Sequence, residues 1–163
     1  MHPVLETRQA LFWTALVVQC AGETHVTASR IAASLLRTSS LIELVEHLRL
    51  EPSDVLAAVE SAGTPSHEDC VRRVMSDLAG KGLEFASAEH QATVERRPLG
   101  QPAVRKVFDA ILARHGAITV SPQELFLDLL RTDAALAGRL ASRGLTVDAI
   151  RAAIVAGPSD GTR

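Results

Sequence analysis

The chain has 163 residues and a net charge of −2, with 17 basic and 19 acidic side chains interspersed. That balance gives no electrostatic reason to hold nucleic acid or an anionic membrane. Hydrophobic residues make up 47% of the chain but aromatic ones only 3%, so a core has to be built from Ala, Leu, Val and Ile, which suits close-packed helices.

The length allows one domain or two small fused ones. Cys20 and Cys70 show neither metal nor redox spacing, so two small apolar thiols in a reduced compartment are the simplest account. No basic stretch followed by an apolar run opens the chain, and the longest apolar stretch, Ala15 to Val18, is far too short to span a bilayer. The expectation is a soluble cytoplasmic protein.

The first helix is expected from about Thr7 to Ala21, with Leu11, Ala15 and Val18 marking one face and Phe12, Trp13 and Leu16 widening it. Gly22 stops it where a C-terminal glycine is favoured. His25-Val26-Thr27 reads as a short extended entry, and Thr27 caps a second helix running to about Arg37 with Ile31, Leu35 and Leu36 inward. Ser39 or Ser40 starts a third helix carrying Leu41, Leu44, Val45 and Leu48. Leu50 plugs the next turn. Pro52 opens a fourth helix with Val55, Leu56 and Val59, and Gly63 and Pro65 end the unit.

Between these and the next periodic stretch, Ser66 is a cap and Val71, Val74, Met75 and Leu78 recur at helical spacing, which predicts a fifth helix ending at Gly80 or Gly82. From Leu83 to Pro102 no period persists, a loop long enough to be functional or mobile. Ala103 to His115 is helical again, with Val104, Val107, Phe108, Ile111 and Leu112 at the right intervals and Gly116 as its stop. Ser121-Pro122-Gln123-Glu124 combines a capping box with proline at the first helical position, and Leu125, Phe126, Leu129 and Leu130 face inward. A helix from about Asp133 to Ser142 ends at Gly144. Thr146 caps the last helix, which is expected to bury Val147, Ile150 and Ile154, and the residues after Gly157 read as a disordered tail.

Two parts of this series match. Leu35-Leu36-Arg37-Thr38 returns as Leu129-Leu130-Arg131-Thr132, with Gly22 matching Gly116, Val26 Val120, Thr27 Ser121 and Ile31 Leu125. After a slip of one residue, Leu41 matches Leu136, Val45 Leu140, Leu50 Leu145 and Val55 Ile150. A repeat of this kind indicates a duplicated unit. The expected fold is all-α: two pseudo-twofold-related four-helix repeats in one bundle, over 7–60 and 103–156, joined by a segment 61–102 with one helix and followed by a tail over 157–163.

Val120-Ser121-Pro122-Gln123-Glu124-Leu125-Phe126-Leu127-Asp128-Leu129-Leu130 resembles the "Ile-Gly-Thr-Glu-His-Leu-Leu-Leu-x-Leu-Leu" helix of the Clp amino-terminal domain. Ala141 to Arg151 resembles that family's "Leu-Gly-Val-Asp-x-x-x-Val-Arg" repeat ending. The resemblance covers about residues 7–60 and 103–156. It implies a non-catalytic double repeat that docks adaptors and client proteins for a ring ATPase, without cofactor or metal. No phosphate-cradling Gly-x-x-x-x-Gly-Lys-Ser/Thr is present, so the chain resembles a free-standing relative or a piece of a longer protein. In related domains the Glu of Thr-Glu-His helps hold phosphoarginine. Ser29 and Gln123 stand at the matching positions and supply no carboxylate, while Glu124 lies one residue on, about 100° round the helix. Phosphoarginine binding is therefore not carried over.

Residue chemistry points the same way. His67, Asp69 and Cys70 crowd one helix start, but no second ligand pair has partner spacing, and acidic residues there favour the helix dipole. Cys20 and His25 are divided by a helix end, and no Gly-x-Ser-x-Gly elbow occurs. Arg37 and Arg131 each follow two leucines. They serve the dipole and last carbonyls of their helices, or border one groove for an acidic partner. The ranking is a protein- or peptide-binding module first, with Arg37, Arg131, Ser29 and Gln123 as candidate contacts. Its partners would be client segments, a Clp ATPase or an adaptor. A helical DNA-binding regulator comes second, although no helix is strongly basic, and an enzyme third.

Overall fold

The computed structural model describes residues 3–60, 65–80, 99–100, 106–107, 109–110, 113 and 119–157. Helices dominate the described residues, consistent with an all-α fold. None of these helices is long and apolar enough to cross a membrane. Outside the described residues lie the loop over 83–98 with Phe85, His90, Arg96 and Arg97, the positions of Phe108, Ile111 and Leu112, Gly63, and the tail after Gly157.

Helix α1 spans Pro3–Cys20, α2 Ala28–Leu35, α3 Ser39–His47, α4 Pro52–Val59 and α5 His67–Gly80. After them come α6 (Pro122–Thr132), α7 (Ala134–Ala141) and α8 (Val147–Ala156). The most enclosed element is α2, whose residues other than Ser29 are all buried. Ala28, Ala32, Ala33 and Ser34 are small enough to let α1, α4 and α6 approach, while Ile31 and Leu35 fill the space between. Helix α6 lies against it with Leu125, Phe126, Leu129 and Leu130 buried, as their spacing predicts. One apolar cluster joins α2, α3, α4, α6, α7 and Ile150 of α8.

The first N–H groups of each helix have no partner within the helix, and side chains of the preceding residues supply one. Thr27 accepts from Arg30 N at 3.2 Å, and Thr146 from Ala149 N at 3.1 Å. Ser121 accepts from Glu124 N while Glu124 accepts from Ser121 N, both at 3.3 Å, completing the expected capping box. Thr38 and Asp133 cap α3 and α7 in the same manner.

The ends of α3 and α7 share one hydrogen-bond pattern. Leu50 N donates to Val45 O (3.1 Å) and Arg49 N to Glu46 O (2.9 Å). Leu145 N donates to Leu140 O and Gly144 N to Ala141 O, both at 3.0 Å. This paired closure requires a left-handed residue. Gly144 takes it at φ 89°, but in the first turn Arg49 has to, at φ 59°. The turns adjoin: a Cβ on Gly144 would lie 3.4 Å from Leu50 Cδ2. Helix α4 packs on α7, and α8 packs on α3.

Four expectations are corrected. Helix α1 starts at Pro3, and its buried face runs through Thr7, Ala10, Thr14, Val17 and Val18, whereas Leu11 and Ala15 are only half-buried. It packs on α2 on one side and α5 on the other, so its buried surface is wider than one apolar stripe. The threonines fit there because their hydroxyls bond backbone, Thr7 to Val120 O at 2.8 Å and Thr14 to Ala10 O at 2.8 Å. Met75 is exposed, since among its described side chains α5 turns His67, Cys70, Val71 and Val74 to the interior. Ile154 is 38% exposed because the last turn of α8 overhangs a groove. Finally, Leu99–Gly100 pairs in parallel with His25–Val26, inside a stretch read as aperiodic; two residues are too few to show alternation.

The left-handed positions give a prediction. Gly144→Ala should lower stability by about 1–2 kcal/mol, and Arg49→Gly should raise it by about 0.5 kcal/mol, in urea denaturation. Equal effects of both would show that backbone strain does not govern these turns.

Candidate functional site

Two grooves flank the buried pair α2 and α6. Each is walled by a helix start, the end of a second helix and the side of a third. The first, about 220 Å³, lies between Thr27, Ser29 and Arg30 of the α2 start, Val59 and Glu60 at the end of α4, and α7. The second, about 570 Å³, lies between Ser121, Gln123 and Glu124 of the α6 start, Ala153, Ile154 and Gly157 at the end of α8, and α3. Ser29 and Gln123 thus line different grooves. Glu124 also faces the second groove despite its position one residue on.

The grooves differ in what fills them. In the first, the Arg139 guanidinium reaches across from α7 and donates to Ser29 Oγ (3.0 Å), Ala58 O (3.2 Å) and Val59 O (3.4 Å). Its acids Glu23, Glu60 and Asp133 stand with two arginines, Arg30 and Arg139. In the second, α3 offers Leu44 at the inner wall and Glu43, Glu46 and His47 towards the opening, and Glu124 adds a third carboxylate. Among the described residues neither Lys nor Arg lines that groove. Sequence reading did not single out Arg139. The available signal was the slipped alignment, in which Arg139 falls where the first half has Leu44.

Arg37 and Arg131 line neither groove. Arg37 Nη1 pairs with Glu68 on α5, and Arg131 Nη1 lies 3.3 Å from Asp128 Oδ1 on its own helix. Both pairs are largely exposed, where such contacts contribute little.

Beside the first groove, Arg30 is buried in α2, with its Nε 2.7 Å from Glu23 Oε1 and its Nη2 donating to Pro65 O at 3.0 Å. Next to it His67 is completely buried. Its backbone N–H donates to Glu60 Oε1 at 3.1 Å, and its ring Nε2 lies 3.5 Å from Ser34 Oγ. Burial, reinforced by the Arg30 and Arg37 charges and only partly offset by Glu68, lowers its pKa from 6.5 to about 4. The histidine is a neutral core residue here. Among the described residues no three His, Cys, Asp or Glu side chains converge on a point that could hold a metal.

The fold brings together two residues that sequence reading kept apart. The Cys20 and Cys70 side chains come together where α1 meets α5, in a small cluster with Val17 and Val71. Burial first, and then the Cys20 neighbour, push the Cys70 pKa up. A thiol held neutral in this way is a poor nucleophile, which fits a packing role.

No family model matches the chain, and neither a curated protein nor a solved structure is similar to it.

His67 sets a pH dependence. The unfolded chain takes up a proton at this residue near pH 6.5, the folded chain only near pH 4. Stability from this group is therefore fully present above pH 6.5 and falls as the pH drops towards 4, by an upper bound of roughly 3 kcal/mol. Urea midpoints measured across that window should lose this slope in His67→Gln. An unchanged slope would assign it to other groups.

Proposed function

We propose that the chain is a non-catalytic protein- or peptide-binding domain, built as a duplicated four-helix unit similar to the Clp amino-terminal domain. The observation that carries the binding role is the second groove. It is open, about 570 Å³, and bordered by the final turn of α8, where Ile154 and Val155 are exposed. An apolar edge beside a polar concavity suits a peptide segment better than a small substrate.

The duplicated reading is supported by the exchange of α4 onto α7 and α8 onto α3, and by the matching closures after α3 and α7. It is supported too by the two grooves, in which Ser29 and Gln123 hold equivalent positions. By its resemblance to the docking domain of Clp unfoldases, the domain acts in protein quality control as an adaptor, a decoy for clients or a regulator of an unfoldase in trans. Recognition on this reading centres on Gln123 and the α8 end rather than on Arg37 and Arg131, whose guanidinium groups already have carboxylate partners. A helical DNA-binding regulator fits less well, because α2 leaves only Ser29 outside the core and so has no face to offer a major groove.

The reading is tested by placing a photo-crosslinking residue at Gln123 and, separately, at Arg72, which is exposed on α5. Each form is challenged with a reduced, alkylated protein as an unfolded client. Gln123 should crosslink and Arg72 should not, and Ile154→Asp should weaken client binding about tenfold. Equal labelling at both positions would sink the proposal.

A further inference from the structure

We infer that the second groove takes an unphosphorylated cationic side chain, an arginine or lysine of a partner segment, and that the first groove is closed to the same ligand by the chain's own Arg139. The inference rests on the peptide-docking reading above and names the chemistry of the occupant.

The first groove supplies the template. There a guanidinium is already seated, with three acceptors: Ser29 Oγ and the Ala58 and Val59 carbonyls at the end of α4. In the duplicated alignment these acceptors correspond to Gln123 and to Ala153 and Ile154 at the end of α8, and all three line the second groove. The residue corresponding to Arg139 is Leu44, which is buried and has no donor. Ile154 O already accepts Gly157 N at 3.1 Å, so of this frame the second groove keeps the Gln123 side chain and the helix end, and no Lys or Arg lines it among the described residues.

Charge argues the same way. Glu43, Glu46 and Glu124 line the groove, with His47 as the only basic side chain beside them among the described residues. Glu124 gives one oxygen, Oε2, to the cap at Ser121 N, while Glu43 and Glu46 are exposed at the opening. The C-terminal end of α8 adds the negative pole of its backbone dipole. The start of α6 adds the opposite pole on the facing wall, so the two dipoles offset and the three carboxylates set the sign: they favour a cation over a phosphate.

The test uses the full chain, labelled with nitrogen-15, and three end-blocked pentapeptides of sequence Ala-Leu-X-Leu-Ala, in which X is arginine, citrulline or phosphoarginine. The arginine peptide should shift the amide signals of Glu46, Gln123 and Ile154 and bind about tenfold tighter than the citrulline peptide at low ionic strength. Combining Glu43→Gln with Glu46→Gln should remove that difference; both residues are exposed, so folding is preserved. Arg139→Leu should open the first groove and add shifts around Ser29. Equal binding of the arginine and citrulline peptides would overturn the cation inference and leave peptide docking standing. Tighter binding of the phosphoarginine peptide would overturn it as well. No shift with any peptide would remove the docking reading together with this inference.

Discussion

The structure depends on one constraint: α2 is short and enclosed on nearly every side. An eight-residue helix has little stability of its own, so its packing must hold it. Truncating a buried leucine such as Leu35 or Leu129 costs about 2–5 kcal/mol, whereas losing an N-cap costs about 1 kcal/mol. Core packing therefore dominates the energy, and the caps decide where each helix begins. They do so because the first N–H groups of a helix have no partner within it, and a side-chain oxygen just ahead of the helix supplies one. Thr27, Thr38, Ser121, Asp133 and Thr146 each place a side-chain oxygen over the first turn that follows.

The same enclosure governs the charges. Arg30 belongs to the buried helix and has two partners, Glu23 just before the His25–Val26 strand and the Pro65 carbonyl ahead of α5. A buried pair of this kind is weak evidence for net stability, but it fixes which segments converge there. It brings the start of α5 against α2, buries His67 beside a guanidinium, and so keeps that histidine neutral. A residue with metal-ligand and catalytic potential in the sequence becomes a packing residue through its neighbours.

What could be read from the sequence was what depends on near neighbours in the chain. The capping box at Ser121 and Glu124, proline at the start of α4 and α6, and the glycine-closed turn at Gly144 involve residues a few positions apart, so local chemistry announced them. The buried leucines of α6 were legible for the same reason. Long-range packing was not. Helix α1 is buried on two sides, which put Thr7 and Thr14 inside and left Leu11 and Ala15 half out. Met75 and Ile154 kept the helical period, but no neighbour covers their turn of the helix. The thiol pair of Cys20 and Cys70 and the reach of Arg139 to Ser29 join residues far apart in sequence, and no spacing rule could bring them together. Of the candidate contacts, Ser29 and Gln123 line grooves because they occupy the first turn of a central helix. Arg37 and Arg131 sit at the other end of their helices, and so lie away from both grooves.

The contrast between the grooves follows from the same separation of frame and lining. On the duplicated reading, positions that face the core in both halves carry the same kind of residue: Ile31 and Leu125, Leu41 and Leu136, Val45 and Leu140. Changing one of them would leave a cavity or overpack its neighbours. Positions that face a groove have no such restriction. Leu44 and Arg139 can differ because each lies at the edge of the core, where a long polar side chain can turn outward without losing its hydration. Arg139 satisfies the carbonyls at the end of α4 and fills its groove, whereas Leu44 packs inward and leaves the second groove lined by Glu43, Glu46 and Glu124. One fold thus carries a self-occupied groove and a vacant one. The exchange of Leu44 for Arg139 separates the two together with the charged side chains around each, Glu23, Glu60 and Asp133 in one and Glu43, Glu46 and His47 in the other.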